Sequence, residues 1–249
     1  MLLDVEGRPG SDNMAMDDAL LEEAGASGRA FLRLYRWSPP CLSFGRHEPA
    51  ASRYDRAAIA RLGLDVVRRP TGGRAVWHEH EVTYAVAAPA SAFGGVGLRS
   101  SCRAIHERLA AALRALGAKA ELASDRPAVR LSDRPTACFA APVGGEILIG
   151  DRKVVGSAQV RRGTAFLQHG SILLDGSQDL VSEVSRTPGA SAQATTLSAA
   201  LGRPVGFHEV ADAIARAWGD SLAPSSSVPL AALGAGSSLF ADPAWTWRR

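Results

Sequence analysis

The stretch Arg68-Arg69-Pro70-Thr71-Gly72-Gly73-Arg74-Ala75-Val76-Trp77-His78 gathers three guanidinium groups and an imidazole around a paired-glycine turn. Paired glycines let a backbone come close to a ligand and expose neighbouring N–H groups to an oxygen. With Arg69 and Arg74 on either side, Gly72-Gly73 suits an anion or a polarised carbonyl. An ordinary hairpin turn, with His78 packed at a strand end, is the plainer alternative. A second constellation is Gly150-Asp151-Arg152-Lys153-Val154-Val155-Gly156-Ser157-Ala158-Gln159. Lysine occurs only at positions 119 and 153, so arginine serves wherever a surface cation suffices. Arginine cannot serve where a compact charge or a releasable proton is needed. Lys119 follows Gly117 and is expected in solvent, whereas Lys153 lies inside an apolar strand and calls for a specific role.

Cys138 is the candidate nucleophile. Cys41 alternates with Ser43 along a strand and Cys102 opens a helix, so both read as inert. Cys138 stands in a loop before the hairpin that carries Lys153. The thiolate is the reactive form of cysteine, and a nearby ammonium would lower the thiol pKa from about 8.5. A thiol hydrolase pairing Cys138 with His78 or His169 is an alternative without a local signature. Zinc has no C-x-x-C or H-E-x-x-H to bind it, and the pair His78 and His80 lacks a third ligand.

The elements that must position these groups mix helices and strands without strict βαβ alternation. We expect an α+β domain with a mixed, largely antiparallel sheet flanked by helices. Ser11 is expected to cap a helix running to about residue 25. Strands are expected at 31–37, 41–44, 64–69 and 82–88, with a short helix at 53–62. Ser101 is expected to cap a helix whose apolar face is Ile105, Leu109, Leu113 and Leu116. Residues 131–142 read as a loop. A meander of strands at 146–149, 152–161, 164–168 and 171–175 follows, turning at Gly150-Asp151 and Gly163. Val210, Ile214 and Trp218 mark a last helix. Residues 1–222 are expected to form the catalytic domain, and 223–249 a linker and short tail.

Composition excludes several classes. The chain has 249 residues, 46% hydrophobic, and a formal charge of +3, which does not support nucleic-acid binding. Three cysteines argue against a disulfide framework and for a reducing, cytoplasmic setting. No run approaches the ~18 apolar residues of a membrane span. There is no G-x-G-x-x-G and no P-loop motif. A monomer is expected.

The segment 68–78, Asn13-Met-Ala-Met-Asp-Asp-Ala-Leu20, and Gly150–Gln159 followed by Leu167-Gln-His-Gly-Ser-Ile-Leu-Leu174 together resemble the lipoate–protein ligase/octanoyltransferase family. The likeness runs from about residue 10 to the terminus, whose fold would be biotin/lipoyl ligase-like. Ala137-Cys138-Phe139 ahead of Pro142, Glu146 and Lys153 is similar to the cysteine-dependent transferase branch. That branch carries an acidic residue where Ala140 stands and Ser-x-Tyr where Val143-Gly144-Gly145 stands. The resemblance implies octanoyl transfer from acyl carrier protein, through a Cys138 thioester, to a lysine of a lipoyl domain or glycine cleavage H protein. Lys153 would depress the thiol pKa. Arg69, Gly72, Gly73, Arg74, His78, Gly156, Ser157, Ala158, His169 and Gly170 would line the substrate. Amides near Gly72-Gly73 or Gly156-Ser157-Ala158 would hold the oxyanion, each such donor typically worth ~3 kcal/mol. Burying seven carbons would contribute at most ~6 kcal/mol, which suits a releasable acyl group. A thioester is already activated, so no cofactor or metal is expected. An acidic carrier would dock on Arg68, Arg69, Arg161 or Arg162. Two rivals stand beside this reading: an ATP- and Mg-dependent lipoate ligase forming an acyl-adenylate, and a non-catalytic acyl-carrier-binding protein.

Overall fold

The computed structural model describes residues 1–93, 97–123, 145–187, 194–219 and 238–248. Cys138, Ala140 and most of the loop before the hairpin lie outside them.

Near the centre of the main sheet is strand β6 (Glu81–Pro89), whose sequence alternates in two apolar registers. Val82, Tyr84, Val86 and Ala88 face one core, Ala85 and Ala87 the other, as period-two geometry requires. Such a strand is buried on both faces and sits mid-sheet. Its neighbours are β2 (Phe31–Trp37) and β10 (Ala165–Leu173), both antiparallel. Beyond β10 come β9 (Arg152–Arg162), β8 (Ile147–Ile149) and β7 (Ala120–Leu122). At the far edge β1 (Leu2–Arg8) runs parallel to β2. The sheet has seven strands, and its mixed, largely antiparallel character is the one expected.

One face is covered by helix α1 (Gly10–Ser27), lying on β10 and β6. The other is covered by α4 (Leu98–Ala115) and α7 (Phe207–Trp218), packed on each other. A second, three-stranded sheet has the order β4 (Asp65–Arg68), β3 (Cys41–Phe44), β5 (Val76–His78). Its core of Leu42, Phe44, Tyr54, Ile59 and Trp77 is closed by α2 (Ala50–Arg53), α3 (Arg56–Arg61) and α5 (Asp179–Glu183). Two further helices are α6 (Leu197–Leu201) and α8 (Pro243–Thr246).

Several boundaries differ from expectation. Helix α1 begins at Gly10 after Pro9, with no side-chain cap, and Ser11 lies inside it. Ser101 likewise lies in the first turn of α4, which starts after Gly97. The expected helix at 53–62 is two helices, the second capped by Asp55. The strands expected at 164–168 and 171–175 are a single strand, β10, which continues through Gly170 and ends at Leu173. There the neighbouring strand is so close that a Cβ on Gly170 would overlap the Gly156 carbonyl oxygen. The glycine is a close-approach residue here, not a breaker. Strands β1 and β7 were not foreseen; both are edge strands whose pairing is set by tertiary contact.

Arg68 overturns one expectation about the surface. It is fully buried. Its guanidinium donates to the carbonyls of Gly45, Arg46, Glu48, Trp245, Thr246 and Arg248. A planar fork with five N–H donors is the side chain best fitted to gather that many carbonyls. Arg68 therefore ties the last residues of the chain to the loop after β3 and is no docking cation. Phe240 and Trp245 join the core under α1, and Trp247 packs 5.4 Å from Phe44. Residues 238–248 are thus packed tail, while 223–237 lie outside the described residues. No helix of the described residues is long and apolar enough to cross a membrane.

Candidate active site

Between the two sheets is a cavity of about 320 Å³, counting its open mouth. Its walls include Met14 of α1, Tyr35 and Trp37 of β2, and Val76 and His78 of β5. Thr83 of β6, Gly156–Ala158 of β9 and His169–Ser171 of β10 complete it with Arg69. Seven of the expected substrate residues therefore converge: Arg69, His78, Gly156, Ser157, Ala158, His169 and Gly170. Gly72, Gly73 and Arg74 stand behind Arg69 rather than in the wall. Arg69 donates to the carbonyls of Gly72 (3.1 Å) and Arg74 (2.9 Å), and to the Ser43 carbonyl (2.9 Å) and hydroxyl (2.6 Å). It braces the glycine turn, and being almost wholly buried it offers no outward docking face. Arg161 and Arg162 are exposed, but Arg162 is paired with Asp18 and Glu22.

Each histidine of the cavity is oriented by a carboxylate. His169 gives its Nδ1–H to Asp17 (2.8 Å), and its Nε2 meets the Thr71 hydroxyl (2.6 Å). Burial lowers its pKa, and Asp17 opposes that shift only in part. Asp17 also accepts from the Tyr35 hydroxyl (2.8 Å) and from Arg33 (2.9 Å). Arg33 is buried too, shared with Asp4 and Asn13 and lying over the Tyr35 ring. His78 mirrors the arrangement: Nδ1 to Glu81 (2.8 Å), Nε2 to Ser43 (2.6 Å), the ring stacked on Trp37 at 4.1 Å. His80, by contrast, is exposed, so the two do not act together. Among the described residues no group of three or more His, Cys, Asp or Glu side chains is placed to hold a metal.

Lys153 lies three residues before Gly156 on β9 and is 1% exposed. Its Nζ meets Glu146 Oε1 at 2.6 Å. Keeping an ammonium out of water is costly unless a partner of this kind is supplied. Burial holds Cys102 protonated, its pKa pushed up to about 11, and raises Cys41 well above the ordinary thiol value, so neither thiol is activated.

Asp17, Glu81, Ser43, Thr71 and the aromatic walls Tyr35 and Trp37 were not read from the sequence. One signal was available: Asn13 and Asp17 lie one turn apart among the apolar residues of α1, and polar groups on a core-facing stripe need partners. His106 of α4 was also missed. Its Nδ1 meets the Gly145 carbonyl (2.6 Å) and its Nε2 the Ser157 hydroxyl (2.8 Å). Burial, aided by the charge of Lys153, pushes its pKa down to about 4. The unfolded chain, with an ordinary value near 6.5, binds that proton first as pH falls. Stability is therefore whole above pH 6.5 and is lost between 6.5 and 4, by about 3 kcal/mol in all. Urea titrations should show the advantage of the wild type over His106→Gln growing by that amount from pH 4 to 6.5. A constant difference would refute it.

A family model described as the lipoyl protein ligase A/B catalytic domain matches residues 9–219. The chain belongs to this family. A Symbiobacterium thermophilum protein named octanoyltransferase LipM is 40% identical over 244 residues, 90% of this chain and 88% of its own. Its namesake from Moorella thermoacetica is 42% identical over 202 residues, 80% of this chain and 73% of its own. Among solved structures, lipoate-protein ligase A bound with ATP aligns with a TM-score of 0.79 at 20% identity. That alignment covers 99% of this chain and 98% of the ligase. A Thermoplasma acidophilum bipartite lipoate protein ligase, solved in a study with its E2 lipoyl domain, reaches 0.74 at 21% identity. It is covered to 95% and this chain to 99%. These likenesses establish the expected lipoyl ligase-like fold for this family member.

Proposed function

We propose that this family member is an octanoyltransferase of protein lipoylation, which moves the acyl group from acyl carrier protein through a Cys138 thioester to a lysine of a lipoyl domain or H protein. The observation that carries the reading is the buried Lys153–Glu146 pair on the strand that also lines the cavity, in a chain 40% identical to a named octanoyltransferase over most of both lengths. The Cys138 thiolate attacks the donor thioester carbonyl, forming one C–S bond while the old one breaks. The electron pair leaves on the carrier's sulfur, and the Lys153 ammonium supplies the proton that sulfur takes. The acceptor amine then attacks the enzyme thioester, and amide and thiol result. Both steps start from an activated thioester, so the proposed reaction uses no ATP, metal or organic cofactor.

Intact-protein mass spectrometry after mixing with octanoyl-acyl carrier protein tests this. A mass gain of one octanoyl group, removable by hydroxylamine and absent in Cys138→Ser, is expected. Acylation that requires ATP and free octanoate, and survives Cys138→Ser, would instead mark a ligase. No acylation under either condition would leave only a binding protein.

A further inference from the structure

Three guanidinium groups crowd one corner of the second sheet. Arg68 lies at the bottom, and its Nη1 donates to the Arg46 carbonyl (3.2 Å), which also accepts from Arg248 Nη2 (2.5 Å). The Arg248 guanidinium stands 3.8 Å from the centre of the Trp245 ring, and that of Arg46 5.9 Å from the same centre. On the next indole, Trp247, Arg56 lies at 5.1 Å. Like charges this close repel one another. Burial and then the charge of Arg248 press the Arg68 pKa down to about 10; burial and then the charge of Arg46 lower that of Arg248. Among the described residues no carboxylate pairs with Arg46, Arg56 or Arg248. Glu48, two residues from Arg46, turns inward to Tyr54 (2.7 Å) and Arg53 (3.6 Å). The corner is open to solvent: Arg46, Arg248 and both indoles are half-buried, while His47 and Arg56 are exposed. It also abuts the candidate active site. The Arg46 N–H donates to the Thr71 carbonyl (2.7 Å), and the Thr71 hydroxyl meets His169 of the cavity wall. Gly45 passes so close to the glycine turn that a Cβ there would overlap the Gly73 carbonyl oxygen.

We infer that Arg46, Arg56 and Arg248 form the docking surface for the acidic carrier domain that delivers the acyl group. This rests on the acyl-transfer reading and adds where its donor sits. Positive charge left uncompensated destabilises the folded chain, and an anionic partner relieves that repulsion on binding. Guanidinium groups held against indole faces are already ordered when the partner arrives. Three cations spread over two indoles suit a surface of carboxylates better than one small ion. The acceptor fits this corner less well, because its reacting lysine arrives as a cation.

Arg46→Glu in the full chain tests the assignment, with two donors: octanoyl-acyl carrier protein and the uncharged octanoyl thioester of N-acetylcysteamine. The second-order rate of loading from the carrier should fall about 10-fold at low salt, within the reach of electrostatic steering, and by less as salt rises. Loading from the small thioester should keep the wild-type rate. The new carboxylate would stand among Arg68 and Arg248, so the melting temperature should hold or rise while carrier loading slows. Arg248→Gln, still able to donate to the Arg46 carbonyl, should show a smaller loss with the same selectivity. Arg216→Glu makes the same charge change on α7, across the main sheet, and should leave loading unchanged. Equal slowing with both donors would mean that Arg46 acts by holding the glycine turn, and would overturn the docking surface. So would unchanged carrier loading, an equal loss in Arg216→Glu, or a loss confined to transfer onto the lipoyl domain, which would mark the acceptor's seat instead. If the wild type takes octanoyl from neither donor, the acyl-transfer reading fails independently of any arginine, and the docking surface with it.

Discussion

Lys153→Met should slow octanoyl loading by about 10³-fold, within the range for a lost acid–base group. The ammonium is almost wholly buried, and its bond to Glu146 holds it in place at the start of the strand that leads to the cavity wall. The substitution also leaves the mostly buried Glu146 carboxylate without this partner, which costs stability. The double variant Lys153→Met/Glu146→Gln separates the two effects: its melting temperature should recover while loading stays slow. Lys153→Arg should fail as well, since a guanidinium keeps its proton at any working pH. Quenched-flow mass spectrometry of the octanoyl adduct gives the rate. Loading by Lys153→Met at the wild-type rate would exclude Lys153 from the reaction.

The second large effect is on folding. Asp17→Ala should destabilise the protein by ~3–5 kcal/mol, the usual result of breaking a buried charge pair from one side. The loss strands three donors together: the Arg33 guanidinium, the Tyr35 hydroxyl and His169 Nδ1. Of these, the guanidinium is the most expensive to leave underpaired. Asp17→Ala/Arg33→Met should therefore be more stable than Asp17→Ala alone, and the urea midpoints of the two proteins give the comparison. If the double variant is the less stable, Arg33 is not the source of the cost. His169 would also lose the group that holds its ring in the cavity wall, so the single variant should bind octanamide more weakly even where it is fully folded.

Much of the fold was legible in the chain because its signals are local. The two apolar registers of β6, the Gly150-Asp151 turn and the stripes of α4 and α7 follow from the periods of strand and helix. The rarity of lysine singled out Lys153 for the same kind of reason: of only two lysines in an arginine-rich chain, it is the one inside an apolar strand. The cavity residues were named largely through resemblance, and most converge.

Tertiary structure alone decided how the polar residues are shared out. Nothing local distinguishes Arg68, locked onto six carbonyls, from Arg69, bracing the glycine turn, or from the exposed Arg161 and Arg162. Asp17 and His169 are 152 residues apart, and Ser157 and His106 are 51 apart. A hydrogen bond has a reach of about 3 Å and a direction, and neither is encoded by a residue's neighbours in sequence. The chain by itself determined which side chains could carry a charge or a proton. Packing of the two sheets against α1 and α4 determined which of them meet, and which way each hydrogen points.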